Sequence, residues 1–372
     1  MKVGINATCL NDRPSGARQR FLGIYGELFE RLPETEFVIY EPRDCAVGSW
    51  FTHQQNVVRR QSPVPSTGRM RRFLLGVPYW NRTFAGENFD LFEALHLPLT
   101  RPSHGKTLLT IHDLRGLLMN SGFKNKALYP AVLRRALQRA DHVVTVSHAM
   151  RAEILDFCSE TPVSVVHNGI NLEAARNVTD EDLQAFDNRF RLPKDFILSV
   201  GHLEPRKNYA RLIDAIALLR GRGLDLPLVI VGNDSGAGTA LRKRISDYGL
   251  RGRVHLLNGL SNTEVCCAYL RSALLAFPSV YEGFGIPVLE AMAAGVPMVL
   301  SDLPIFREVA GDDAFFFRPT DIEAIADALA KGLQSNEWRG RMRANGFKRV
   351  NEFGFDRLAA ELAGVYRTIL AW

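Results

Sequence analysis

Residues 279–299 read SVYEGFGIPVLEAMAAGVPMV, a glycine-rich stretch with a carboxylate on each side of it. It continues a short apolar run, LLAFPS (274–279), which has the length of a buried strand. Gly283 and Gly285 can take positive φ and let a ligand approach the backbone closely. Pro287 suits the first turn of a helix, where its missing N–H leaves nothing unpaired. VLEAMAAG (288–295) then reads as a helix ended by Gly295. The stretch therefore predicts a strand, a glycine loop and a helix N-terminus, whose free N–H groups attract anions and hydroxyl oxygens. Glu282 precedes the loop and Glu290 sits about one turn into the helix, so both carboxylates can face one polar ligand.

The same pattern recurs on either side. In the second half FILSVG, LVIVG, VHLLNG, LLAFPS and MVLS are short apolar strands, each followed by a helical pattern. In the first half KVGINA, EFVIY, LFEALH, TLLTIHD, HVVTVS and PVSVVHNG are strand candidates. Such alternation implies parallel sheets covered on both faces, and two of them imply two Rossmann-like domains, as 372 residues also suggest. The polar stretch from Leu172 to Pro193 is the expected linker. Ligands of such sheets bind outside the carboxyl ends of the strands, and a cleft between two domains is the default site.

Composition narrows the class. No run approaches the roughly 20 apolar residues of a membrane span, and the start of the chain lacks the apolar core of a signal peptide. Cys9, Cys45, Cys158, Cys266 and Cys267 are scattered without a CxxC pair. This argues against a disulfide framework or a zinc site and for a cytoplasmic location. The formal net charge of +6 lies wholly in residues 1–178, which hold 22 Lys+Arg against 16 Asp+Glu. Residues 45–86 contain no acid but six arginines: Arg59, Arg60, Arg69, Arg71, Arg72 and Arg82. Trp50, Phe51, Phe73, Leu74, Leu75, Tyr79 and Trp80 are interleaved with them. This composition suits an anionic membrane surface; nucleic acid or a solvated basic loop over the core are the other readings.

The informative polar residues fall at strand ends. SVGHLEPRKNYARLIDAI (199–216) runs from a strand through Gly201 into a loop and a helix, with Arg206 and Lys207 just before that helix. Two cations beside a helix N-terminus make a diphosphate clamp or, more blandly, a surface basic pair. TIHDL (110–114) ends a strand with His112 and Asp113, and VVHNGIN (165–171) sets Asn168 and Gly169 in a turn. NDRPSGARQR (11–20) puts Gly16 in a loop after the first strand, able to face a phosphate or an acceptor. The acidic triplet Asp180-Glu181-Asp182 follows Thr179 and reads as a capped first helical turn rather than a metal site. GNDSGAG (232–238) lacks the Lys-Ser/Thr ending of a P-loop. No metal site is expected.

Together these motifs resemble the retaining glycosyltransferases of family 4, with the GT-B fold of two Rossmann-like domains facing across a cleft. The resemblance spans nearly the whole chain. It rests on the Gly16 loop, TIHDL, VSHAMRAEI, VVHNGIN, SVGHLEPRKN, LVIVG and YEGFGIPVLEAMAAGVPMV, with Glu282 and Glu290 as the family's two glutamates eight positions apart. It implies an acceptor-binding domain over 1–178, a nucleotide-sugar domain over 179–354, and a helix over 355–372 crossing back to the first domain. It gives Glu290 the ribose hydroxyls and Glu282, with the backbone of Phe284 and Gly285, the donor sugar. Arg206 and Lys207 neutralise the leaving diphosphate, and His112 contacts the donor sugar or the acceptor. Gly16, followed here by Ala17 where many members have a second glycine, approaches the phosphates. Leu260 in NGLSN passes the base; Ser261 and Asn262 follow, with no acid for a guanine. No metal or other cofactor is implied. HLPLTRPSHGKTLLTIHDL (96–114) resembles mannosyl- and deoxyhexosyl-transferases of bacterial surface polysaccharides, which points to GDP-mannose or a related GDP-sugar and a saccharide acceptor, lipid-linked, at the inner face of the cell membrane. An isomerase or hydrolase acting on a nucleotide sugar is the rival class.

Overall fold

The computed structural model describes residues 1–13, 15–97, 100–118 and 123–371, with the backbone alone for 69, 70, 118 and 123–127. The chain divides into two units, Met1–Ile170 with Phe353–Trp372, and Asn171–Glu352. The division thus falls before the stretch expected to link them. Part of that stretch is a helix, Asp180–Phe190, started by a reciprocal pair: Asp182 N–H donates to Thr179 Oγ1 (3.2 Å) and Thr179 N–H to Asp182 Oδ2 (3.0 Å). The acidic triplet serves this cap, as its sequence suggests.

The first unit holds seven strands: β1 (Lys2–Asn6), β2 (Glu36–Glu41), β3 (Val57–Gln61), β4 (Leu91–Ala94), β5 (Lys106–Ile111), β6 (His142–Thr145) and β7 (Val163–Val165). They form one parallel sheet in the order β3-β2-β1-β4-β5-β6-β7. The second unit holds six: β8 (Phe196–Val200), β9 (Leu228–Val231), β10 (Val254–Leu257), β11 (Ser272–Phe277), β12 (Met298–Ser301) and β13 (Phe315–Phe317). These are also parallel, in the order β10-β9-β8-β11-β12-β13. In each sheet the order reverses beside the first strand, between β1 and β4 and between β8 and β11. Loops leaving the carboxyl ends of those two strands part there and open a crevice. Strands such as β9, wholly buried and apolar, require cover on both faces. In the second unit the helix Ile322–Gln334 packs on β11, β12 and β13 and on the helix Tyr209–Gly221.

β3 and β13 were not evident from sequence. β3 is an edge strand whose VVRRQ pattern ends in charge, and β13 has only three residues. The C-terminal helix, Phe355–Leu370, belongs to the first unit. Its Leu358, Ala359, Leu362, Ala363 and Tyr366 are buried in that unit's core at helical spacing.

The acid-free window differs from its expected form. It contains a short 3₁₀ turn (Val47–Phe51), β3 and the helix Arg69–Gly86. Trp80 and Phe51 are core residues; Trp80 lies edge-on to Tyr40 (5.2 Å) and Phe92 (5.5 Å). Trp50 is half-buried under Arg18, whose guanidinium lies 4.7 Å from its ring. The tryptophans are therefore not the exposed aromatics of this window. The exposed apolar residues of the window are Phe73 (57% exposed), Leu74 (62%), Leu75 and Val77, all on the helix Arg69–Gly86. No helix among the described residues is long and apolar enough to cross a membrane, and all five cysteines are unpaired.

Candidate active site

The carboxyl ends of β8 and β11 bring three predicted residues into direct contact. β8 ends at Val200, and Gly201 follows at φ +145°. A Cβ there would lie 2.9 Å from Lys207 Cε and 3.1 Å from Lys207 Nζ, so only glycine leaves the lysine its place. The chain makes a 3₁₀ turn over Pro205–Lys207 and enters the helix Tyr209–Gly221 through Asn208, which is left-handed (φ 59°). Asn208 Nδ2 donates to the carbonyls of Pro278 (3.0 Å) and Pro319 (2.7 Å), and Val280 N–H donates to the Arg206 carbonyl (2.9 Å). The loop after β8 is thereby stitched to the loop after β11.

Across that seam Lys207 Nζ meets Glu282 Oε1 at 2.6 Å, and Arg206 Nη1 meets Glu282 Oε2 at 2.6 Å. Ser279 Oγ donates to Glu282 Oε1 (2.8 Å), and Lys207 Nζ lies 4.7 Å from the centre of the Phe277 ring. Arg206 also donates to Glu204 (2.6 Å) and to the Tyr281 carbonyl (3.2 Å). Burial works against an ionised Glu282, but Lys207 and Arg206 outweigh it and hold the carboxyl below its usual range. Burial, with Arg206 beside it, pulls the Lys207 ammonium below the usual lysine range against the pull of Glu282. For Arg206 burial opposes the charge, and Glu282 and Glu204 more than restore it. The result is a desolvated ion cluster in which Lys207 keeps donors to spare while both Arg206 Nη atoms are engaged by carboxylates.

Gly285, at φ +103°, opens the helix Ile286–Ala293, and Pro287 sits in its first turn as the sequence predicts. A Cβ on Gly285 would lie 2.8 Å from the Phe306 ring. Phe284 is buried. Glu290 lies on this helix and accepts a hydrogen bond from Tyr269 Oη (2.8 Å). Burial raises its carboxyl above the ordinary range, and Tyr269 and Lys207 only partly oppose this. Leu260 is half-buried between β10 and the helix Asn262–Arg271. The neighbouring Ser261 is spent on capping: its Oγ accepts from Glu264 N–H (3.2 Å) and its N–H donates to Glu264 Oε2 (2.8 Å). Asp234 of the glycine-rich stretch GNDSGAG likewise accepts from Gly236 and Gly238 N–H (2.9 Å each), so this loop is closed on itself.

The first unit holds the other two candidates. His112 follows β5 and lines a small cavity with Arg20, Tyr25, Cys9 and Thr110. Burial, then the charges of Arg20 and Arg115, take its pKa down to about 3, so the imidazole is neutral near pH 7. Gly16 is not in a loop: it is the first residue of a short helix, Gly16–Arg20, capped by Ser15 Oγ, which accepts from Arg18 N–H (3.2 Å). The signal was present, since serine two residues before an alanine-containing run is a capping residue. Tyr269 and Asn208 are not evident from sequence, because their contacts lie far along the chain; Ser279, three residues before Glu282, carried a local signal that was passed over.

Two family models match the chain: that of Glycosyltransferase Family 4 over residues 33–174, and that of Glycosyl transferases group 1 over residues 180–349. The chain belongs to glycosyltransferase family 4. O-antigen chain mannosyltransferase RfbU of Salmonella typhimurium is 28% identical over 60% of the chain and 62% of its own length. O-antigen chain mannosyltransferase B of Escherichia coli is 27% identical over 64% and 63%. The chain thus spans less than two thirds of these two relatives. Phosphatidyl-myo-inositol mannosyltransferase of Mycobacterium leprae is 24% identical over 99% of the chain and 97% of its own length. Among solved structures, sucrose-phosphate synthase from Thermosynechococcus elongatus superposes with a TM-score of 0.80 at 19% identity, covering 100% of this chain and 99% of that one. Anabaena HepE in complex with UDP-glucose gives 0.75 at 18% identity, covering 99% and 100%. At such identities these structures show the fold, GT-B.

Proposed function

We propose that this family 4 member is a retaining glycosyltransferase that moves a hexose, mannose from GDP-mannose in the first instance, onto a saccharide acceptor carried on a lipid in bacterial surface polysaccharide synthesis. The observation that carries the reading is the buried cluster of Arg206, Lys207 and Glu282 at the point where the strand order of the second sheet reverses. Breaking a sugar–diphosphate bond builds negative charge on the leaving oxygens. Fixed cations in a site of low dielectric stabilise that charge more than water can. They fill the role a divalent ion has elsewhere, so the reaction is taken to run without metal. Glu282 then holds the donor sugar beside Phe284 and Gly285, and Glu290, aimed by Tyr269, receives the ribose hydroxyls. Leu260 passes the base. Gly16 and the neutral imidazole of His112 are assigned to the phosphates and to the sugar or its acceptor.

In the step itself the acceptor oxygen bonds to the anomeric carbon on the face the diphosphate leaves. The carbon–oxygen bond to the diphosphate breaks, and the acceptor proton passes to a leaving phosphate oxygen. The mannosyltransferase names of the relatives favour mannose. The exposed Phe73, Leu74, Leu75 and Val77 on a helix that also carries Arg71 and Arg82 favour reversible docking on an anionic membrane at the cytoplasmic face.

The test is a panel of UDP-, GDP- and dTDP-sugars scored by thermal stabilisation, then nucleoside diphosphate release with and without a lipid-linked saccharide. Stabilisation by GDP-mannose and release only with acceptor are expected. Release without acceptor would point to the hydrolase class, and stabilisation by no nucleotide sugar would overturn the reading. Sedimentation with anionic and neutral vesicles checks the docking: Phe73→Ser with Leu74→Ser should leave the protein in the supernatant, and unchanged pelleting would refute it.

A further inference from the structure

The first unit has its own crevice where strand order reverses, between β1 and β4. An arginine is placed there with no ion pair among the described residues. Thr8 lies two residues beyond β1 and His96 two residues beyond β4. Thr8 Oγ1 donates to Asn6 Oδ1 (2.7 Å), and Asn6 Nδ2 donates to Thr100 Oγ1 (3.2 Å). His96 Nδ1 lies 2.9 Å from the Leu97 carbonyl and Nε2 lies 3.0 Å from Thr8 Oγ1. Arg72, from the helix Arg69–Gly86, brings Nη2 to 2.8 Å of the imidazole. Nη2 is equally close to both ring nitrogens, so the guanidinium lies against the imidazole and is not directed at one nitrogen alone. Burial and the Arg72 charge take the imidazole down to about 3, so it adds no charge of its own.

Two other arginines of the window are paired: Arg59 reaches Glu41 at 3.2 Å and Arg60 reaches Glu87 at 4.0 Å. Among the described residues no carboxylate forms an ion pair with Arg72, and the one other titratable neighbour is Cys9. Burial raises that thiol to about 11, so it stays protonated and does not neutralise the arginine. A guanidinium taken out of water without a counter-ion is costly. An anion that arrives with the substrate removes the cost, and the planar fork suits phosphate oxygens. The next residues on the same helix are the exposed Phe73, Leu74 and Leu75. An anionic group on Arg72 would therefore sit at the start of an apolar surface.

We propose that Arg72, oriented by His96, is the subsite for a phosphoryl group of the acceptor, with the attached lipid chain running along Phe73, Leu74 and Leu75. This rests on the reading of the chain as a glycosyltransferase with a lipid-linked acceptor, and it names the group by which that acceptor is held.

Calorimetric titration of the full chain with dodecyl phosphate and with inorganic diphosphate, both below micelle concentrations, tests it against Arg72→Gln and Arg72→Lys. Dodecyl phosphate should bind the wild type at least tenfold more tightly than Arg72→Gln, with Arg72→Lys between them. If inorganic diphosphate shows the same dependence, the phosphoryl group suffices; if only dodecyl phosphate does, the lipid chain is part of the subsite. Equal affinity of wild type and Arg72→Gln for both probes overturns the proposal. Far-UV circular dichroism and thermal unfolding of each variant, matched to the wild type, show that the first unit is folded. Should Arg72→Gln prove unfolded, Arg72→Lys carries the test, and affinity equal to wild type overturns the proposal. Failure of the wild type to bind any nucleoside diphosphate would sink the glycosyltransferase reading and leave the dodecyl phosphate result readable.

Discussion

At the residue scale the site depends on what has been left out as much as on what is present. Gly201 is a bare position against which Lys207 lies; a methyl group there would meet both Cε and Nζ. Gly201→Ala should displace the ammonium and weaken nucleoside diphosphate binding by about 1.5–3 kcal/mol, the range for hydrogen bonds to charged groups. Calorimetry would show roughly ten- to a hundredfold loss; unchanged affinity would mean that Lys207 is not the diphosphate contact. Glu290 gives a second prediction. Its carboxyl is raised by burial, and a ribose needs the ionised form as acceptor. Affinity for nucleoside diphosphate should therefore fall as pH is lowered through a pKa above the ordinary carboxylate range. Glu290→Gln should bind weakly at all pH values and lose that dependence. A pH profile identical in the two proteins would remove Glu290 from the ribose site.

At the scale of elements, one buried carboxylate ties the C-terminal helix to the first sheet. Glu93 at the end of β4 is wholly buried and accepts from Tyr25 Oη (2.6 Å), Thr110 Oγ1 (2.7 Å) and Tyr366 Oη (2.6 Å). Three hydroxyls, each from a different element, satisfy the carboxyl oxygens, which form no ion pair among the described residues. Phe355 at the start of the same helix is seated on two glycines: a Cβ on Gly23 would lie 2.3 Å from its ring, and one on Gly169 would lie 2.6 Å away. Tyr366→Phe keeps the packing and removes one donor from the carboxylate. It should destabilise the protein by about 1.5–3 kcal/mol in urea unfolding. A change under about 0.5 kcal/mol would show that water replaces the hydroxyl and that the helix is held by its apolar face alone.

For the whole molecule, acidity acts most strongly through two histidines of the first unit, with His142 and His255 lowered by burial in the same direction. His96 and His112 have folded pKa values of about 3 against an ordinary 6.5. Between those values the unfolded chain binds more protons than the folded one, so stability rises with pH across the window and is lost as pH falls from about 6.5. Each group contributes up to about 1.4 kcal/mol per pH unit. Glu282, depressed by its cations, adds a loss in the same direction at lower pH, while the raised Glu290 opposes it. The double variant His96→Gln with His112→Gln should show a distinctly shallower fall in unfolding free energy between pH 7 and 5. An unchanged slope would mean that neither imidazole is held neutral by the fold.

Local physics along the chain encodes the strand, glycine loop and helix around Glu282 and Glu290, the Pro287 and Gly295 boundaries, the Thr179 cap, and two sheets of parallel strands. Each follows from periodicity, φ preference or capping within a few residues. The sequence did not reveal β3, whose edge position lets it end in charge, or that Trp80 is core while Phe73 and Leu74 are exposed, because a run of mixed arginines and aromatics has no clean period. Nor did it show that Gly16 begins a helix. Which charges meet is set by the folded arrangement of the strands. Strand order sets β8 beside β11 and β1 beside β4, and so brings Lys207 to Glu282 across 75 residues and leaves Arg72 with His96 instead of an acid. Charge pairing depends on distance in space and on the water excluded between the partners, and neither quantity is written in the order of residues along the chain.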